Sequence, residues 1–216
     1  MEHAASAEVD AQKKSLIAFE RERPDVALAR GTFFAEQLKD VPLKDVVVLD
    51  ESYATTVFTR LRGRAPRHLR LCERVPGGHW RRLTILAAIT VEGVLCASSI
   101  NASTDAEVFK SFVNEVLVPS LRPGMVVVMD NLSSHKVAGV REAIESARCR
   151  LVYLPPYSPD LSPIEPIWSK VKQILRRIGA RDVEPLHLAI AEALKHITSD
   201  DCLGCFSNCG YTLHLE

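Results

Sequence analysis

Two valine-rich runs, "VVVLD" at residues 46–50 and "MVVVMD" at 125–130, limit the folds open to this chain more than any other feature. Neither run alternates apolar with polar residues. Each therefore predicts a strand covered on both faces, as in the centre of a sheet that carries helices on both sides. Each run also ends in an aspartate. If the two strands are parallel, Asp50 and Asp130 emerge at the same sheet edge, where open α/β sheets place their sites. Glu51 follows Asp50, but strand side chains alternate, so only one of the pair can face a given cleft. Asp50 ends the apolar run and is the candidate.

The rest of the chain supplies the elements such a sheet needs. Residues 11–39 predict two short helices broken at Pro24. Residues 51–79, rich in arginine, proline and glycine, predict an irregular excursion. "RLTILAAITVEGVLCASSI" (82–100) reads as two strands joined by a tight turn at Glu92-Gly93. An amphipathic helix is expected over 104–121, with Thr104 as N-cap, Glu107 completing a capping box and Pro119 at the end. A helix over 136–147, a strand at 150–154, and helices near 164–178 and 182–197 complete the order. No repeat or low-complexity segment interrupts it. A hairpin followed by βαβ units predicts an α/β protein with a mixed five-stranded sheet flanked by helices, the order of the ribonuclease H-like fold.

A third carboxylate joins the two aspartates through an unusual loop. In "LPPYSPDLSPIEPIWSKVK" (154–172) five prolines fall between Pro155 and Pro166. Glu165 stands among them, separated from Asp130 by 34 residues. Pro163 and Pro166 suit a first helical turn, where a missing N–H is harmless. The stiff segment before them has little conformational freedom to lose and fixes where the helix begins. Asp50, Asp130 and Glu165 are thereby expected at one point. Three carboxylates repel unless a dication sits among them, and oxygen-only ligation suits Mg²⁺ or Mn²⁺. Two such ions can activate an attacking oxygen and stabilise a leaving oxygen at phosphorus.

Charge points to a polyanion. The 216-residue chain has zero net formal charge, yet residues 60–82 hold eight arginines against the single acid Glu73. Lys170, Lys172, Arg176, Arg177 and Arg181 form a second basic cluster. Local patches on a neutral chain fit a nucleic-acid-binding surface, with solvated faces as the alternative. No apolar run reaches the ~18 residues of a membrane span, and "MEHAASAEVD" is no signal peptide. Six cysteines without a secretory signal suggest reduced thiols and a cytoplasmic protein.

"VVVLDES", "GRAPR", "VVVMDNLSSHK", "LPPYSPDLSPIEPIWSKVK" and a late "GY" (210–211) resemble, in order, the DDE transposases of the insertion-sequence 630 and mariner superfamily. The resemblance covers about residues 45–211. It implies a ribonuclease H-like catalytic domain at 45–200, with an N-terminal helical segment (1–44) and a C-terminal tail (201–216) packed on it. It also implies Mg²⁺-dependent cleavage at element ends, strand transfer into target DNA, and Asp50, Asp130 and Glu165 as catalytic metal ligands. The implied partners are terminal inverted repeats, target DNA and further copies of the chain, in a bacterial cytoplasm at the nucleoid. Ser162 stands where the family usually has asparagine, and Tyr53 where glycine is common. Full-length members carry N-terminal helix-turn-helix modules. About 45 residues precede the first core strand here, so a separate subunit or N-terminal half is expected to read element ends. Rival readings are an inactive or repurposed DNA-binding derivative, and a nuclease of the same fold without strand transfer.

Other candidates carry two readings each. Asn131 orients Asp130 or a metal-bound water, or is a turn residue. His135 contacts a phosphate or leaving group, or is an exposed residue in a first helical turn. Arg62, Arg64, Arg67, Lys170 and Lys172 are candidate DNA contacts. Trp168 is expected in the core. "CLGCFSNC" (202–209) lacks a second ligand pair for zinc and predicts packed thiols.

Overall fold

The computed structural model describes residues 17–102, 105–132, 136 and 138–211. Strand β1 (Val46–Thr55) pairs antiparallel with β2 (Arg82–Thr90), which pairs antiparallel with β3 (Gly93–Ile100). On its other side β1 runs parallel to β4 (Val126–Met129), and β4 parallel to β5 (Arg150–Tyr153). The order β3-β2-β1-β4-β5 is the mixed ribonuclease H-like sheet expected from the sequence.

Helices cover both faces, which is why the central runs are continuously apolar. Val46, Val48, Val126 and Val128 pack with α5 (Ile164–Ile178), α6 (Val183–Lys195) and α7 (Ser199–Asn208). Val47, Leu49, Val127 and Met129 face away. There they meet α2 (Ala106–Phe112), its π-helical continuation Val113–Leu117, and α4 (Val140–Ser146). A final turn, α3 (Val118–Ser120), completes the α2 run. An N-terminal helix, α1 (Pro24–Gln37), follows a 3-10 turn at Phe19–Glu22 and contributes Phe33 to the first cluster. Among the described residues no helix is long and apolar enough to cross a membrane.

Several boundaries differ from expectation. β1 continues five residues past Asp50, because "ESYAT" finds β2 as a partner from Glu51↔Leu86 to Thr55↔Arg82. The excursion therefore starts after Thr55. Asp105, rather than Thr104, caps α2: its side chain accepts from Val108 N at 2.9 Å. Thr104 itself lies outside the described residues. The fourth helix opens at Val140 behind Gly139, whose φ of 95° breaks the helical path. α5 ends at Gly179, whose φ of 66° is the left-handed cap that glycine adopts without strain. The segment after residue 198 forms α7, opened by a capping box between Thr198 and Asp201.

Candidate active site

Parity and register bring the two aspartates together. Val46 and Val48 share a face with Asp50, as Val126 and Val128 do with Asp130. Leu49 lies opposite Met129 in the parallel pair, and the next step along each chain sets Asp50 beside Asp130. From the far side, α5 begins at Ile164 directly after Pro163 and presents Glu165 in its first turn. Asp50, Asp130, Asn131 and Glu165 then line one cavity of about 410 Å³, whose far wall is the proline loop from Leu154 to Ser162.

Both aspartates are tied to the scaffold. The indole Nε1 of Trp168, one turn along α5 from Glu165, donates to Asp50 Oδ2 at 2.9 Å. Leu132 N donates to Asp130 Oδ1 at 3.2 Å. The proline loop is bound to itself and to the core. Ser158 Oγ donates to Pro156 O at 2.9 Å, and Tyr157 turns the chain with a φ of 56°.

Burial pushes the Asp50 carboxyl up to about 7. The neighbouring charge of Glu165 adds to this, and that of Asp130 more weakly. The Glu51 backbone N–H and the Trp168 indole pull the other way without prevailing. Asp50 thus senses both other acids. Even so, among the described residues no three carboxylate, imidazole or thiolate groups are already gathered at the spacing that holds an ion. The donor chemistry nonetheless suits a hard cation. All candidate ligands are oxygens, and Asn131 Oδ1 is buried in the same cleft with no hydrogen-bond partner among the described residues.

A second cavity, of about 580 Å³, borders the first at Glu165. Glu51 lines it, on the opposite parity from Asp50, together with Tyr53, Arg82 and Lys172. The Arg82 guanidinium lies 4.3 Å from the Tyr53 ring centre and Lys172 Nζ 4.7 Å from it. Burial holds the Lys172 ammonium below its ordinary pKa.

The remaining candidates separate. Arg62 and Arg64 meet Arg176, Arg177 and Arg181 around a third cavity of about 730 Å³, so the two basic clusters of the sequence adjoin. Arg67 is exposed on the excursion. Arg181 Nη1 also donates to the carbonyls of Thr56 (3.1 Å) and Phe58 (2.8 Å), anchoring the start of that excursion. Lys170 pairs with Asp201 of α7 and lines neither of the two cavities that border Glu165. His135 lies outside the described residues. Cys202 and Cys209 are packed thiols in the core, pushed by burial up to about 11. Sequence reasoning placed Trp168 in the core, where it is 3% exposed, but missed its bond to Asp50. The partners are 118 positions apart, and no local pattern signals the contact.

A ribonuclease H-like sheet with one carboxylate midway along its first strand and another directly after its fourth defines a fold and a cleft suited to phosphodiester chemistry. The profile of the DDE superfamily endonucleases matches residues 45–187, a span that includes all three acids, and the chain belongs to that family. Solved structures agree on the fold. The pre-cleavage Mos1 transpososome matches with a TM-score of 0.72 at 13% identity, over 95% of this chain and 68% of that one. The Mos1 strand transfer complex gives 0.59 at 16%, over 95% and 67%. The Mos1 transposase catalytic domain with raltegravir and Mg gives 0.54 at 13%, over 86% and 92%. No curated protein shows significant similarity to the sequence.

Proposed function

We propose that this chain is the catalytic part of a DDE transposase, cleaving DNA at element ends and joining the freed 3′-OH to target DNA. The observation that carries this reading is that Asp50, Asp130 and Glu165, from three separate elements, line one cleft of a ribonuclease H-like sheet. The family match and the shared fold with Mos1 complexes support it. In this reading residues 45–200 form the catalytic unit, flanked by 1–44 and 201–216. A separately encoded or preceding helix-turn-helix module reads the inverted repeats, several copies assemble on DNA, and the complex works at a bacterial nucleoid.

Asp50, Asp130 and Glu165 would hold two divalent cations, Mg²⁺ or Mn²⁺, with Asn131 Oδ1 as a further acceptor. When bound, such ions activate an attacking oxygen and neutralise charge on the leaving oxygen at phosphorus. The chain's own work is positional. Trp168 fixes the Asp50 carboxylate, Leu132 N–H fixes that of Asp130, and the proline loop limits where Glu165 can stand. Arg82 and Lys172, beside Glu165, are placed to hold a DNA phosphate next to the cleaved one.

The test is nicking of supercoiled plasmid in Mg²⁺. The chain is expected to nick, and Asp50→Ala, Asp130→Ala and Glu165→Ala to lose at least a thousandfold in rate while keeping their circular dichroism. Undiminished nicking by any one of them would overturn the assignment of that residue.

A further inference from the structure

The loop that delivers Glu165 is gripped by segments outside the family-matched span. Its 3-10 turn, Pro159–Leu161, turns Asp160 toward the N-terminal helical region. Arg30 of α1 meets that carboxylate with a two-pronged fork, Nη1 to Oδ1 at 3.0 Å and Nη2 to Oδ2 at 2.8 Å. Arg21 adds a third bond, Nη2 to Oδ2 at 3.0 Å. From the C-terminal end, the phenol of Tyr211 donates to Leu161 O at 3.0 Å while only 4% exposed.

Surface ion pairs usually contribute little, but this one has the features of the exceptions. Its geometry is bidentate, the Arg30 side chain is only 13% exposed, and a second arginine shares the acceptor. Arg30, with Arg21 beside it, holds the Asp160 carboxyl below the usual carboxylate range. The gripped turn is also continuous with the catalytic helix. Leu161 N bonds to Ser158 O, Ser162 N to Pro159 O, and Glu165 N to Ser162 O. With proline at 159 and 163, this short chain of bonds leaves little slack between Asp160 and Glu165.

We propose that Asp160 is a positioning residue for Glu165, and that α1 acts on the cleft through it. The arginine clamp sets the register of the proline loop, so the orientation of α1 is transmitted to the catalytic carboxylate. Tyr211 closes the loop from the other side. The inference rests on the reading of Glu165 as a catalytic residue and adds to it a route by which the N-terminal segment governs activity.

The experiment uses the full chain with Asp160→Asn, which keeps shape and removes charge, and Arg30→Lys, which keeps charge and removes the fork. Amide hydrogen exchange and plasmid-nicking kinetics are measured on both. Exchange at Leu161, Ser162 and Glu165 is expected to quicken at least tenfold while β1 and β4 keep their protection. The nicking kcat is expected to fall about tenfold with KM for DNA unchanged. Unaltered exchange at the loop would overturn the proposal. So would a uniform loss of protection across the sheet, which would make the clamp a general stabiliser. Asp130→Ala serves as the control. If that variant still nicks, the triad reading has failed, and the exchange data alone decide whether the clamp registers the loop.

Discussion

At the scale of single residues, Asp50 gives the sharpest consequences. Its carboxyl titrates near 7 in the folded chain against an ordinary value of 3.8. The folded state therefore holds this proton more tightly than the unfolded state. The resulting stabilisation is present below pH 3.8 and is lost as pH rises toward 7, a difference on the order of 4 kcal/mol. Thermal unfolding of the metal-free chain should show this loss between about pH 4 and 7. Asp50→Asn should flatten the dependence and melt above the wild type at pH 8, and equal slopes for the two proteins would refute the assignment. Because a proton and a cation compete for the same oxygens, the pH midpoint of nicking should fall as Mg²⁺ is raised. Trp168→Phe keeps the aromatic packing but removes the donor to Asp50, a bond to a charged group worth roughly 1.5–3 kcal/mol. It should slow nicking about tenfold or more at low Mg²⁺ and leave the far-ultraviolet dichroism intact. The aspartates were legible in the sequence because each ends a run that only a doubly covered strand explains. The indole donor and the Arg30–Asp160 fork, at separations of 118 and 130 residues, leave no local trace.

At the scale of elements, what could be read from sequence followed how strongly local pattern and burial agree. β4 and β5 match expectation within a residue or two because they are short apolar runs, and α5 and α6 because their apolar positions follow the helical period. The second half of β1 does not, since "ESYAT" opens on polar Glu51 and Ser52 and carries an exposed Tyr53, and pairing with β2 makes it a strand. α7 was missed for a related reason. "SDDCLGCFSN" holds few strong helix formers, and the burial of Cys202 and Phe206 against the core decides its state. The capping box at Thr198 and Asp201 was the available signal. The excursion after Thr55 remains irregular, with its arginines exposed apart from the anchored start. Replacing Arg62, Arg64 and Arg67 by glutamate should weaken DNA binding equally for all sequences. It should also reduce the slope of log affinity against log salt by about three, as read by fluorescence anisotropy across a salt series. An unchanged slope would make the segment a solvated loop.

At the scale of the whole molecule, α1 and α7 pack onto the same core, and Arg30 and Tyr211 bind the same loop at Asp160 and Leu161. The described part of the N-terminal segment offers a 3-10 turn and one helix, α1. Its acids, Glu20, Glu22, Asp25, Glu36 and Asp40, are all exposed and oppose an approach to phosphates. The chain alone is accordingly expected to bind DNA weakly, with Kd above about 10⁻⁶ M at physiological salt, and without sequence preference. A hundredfold preference for its own inverted repeat over scrambled DNA would show that end recognition resides here. Catalysis as proposed requires three acids from distant parts of the chain to share metal ions at one sheet edge. Diffraction from a Mn²⁺-soaked crystal, recorded at the manganese edge, tests that most directly. The predicted result is anomalous density bounded by the carboxylates of Asp50, Asp130 and Glu165. Manganese bound elsewhere, or an ion held by Asp50 with Asp130 and Glu165 both turned away, would contradict it.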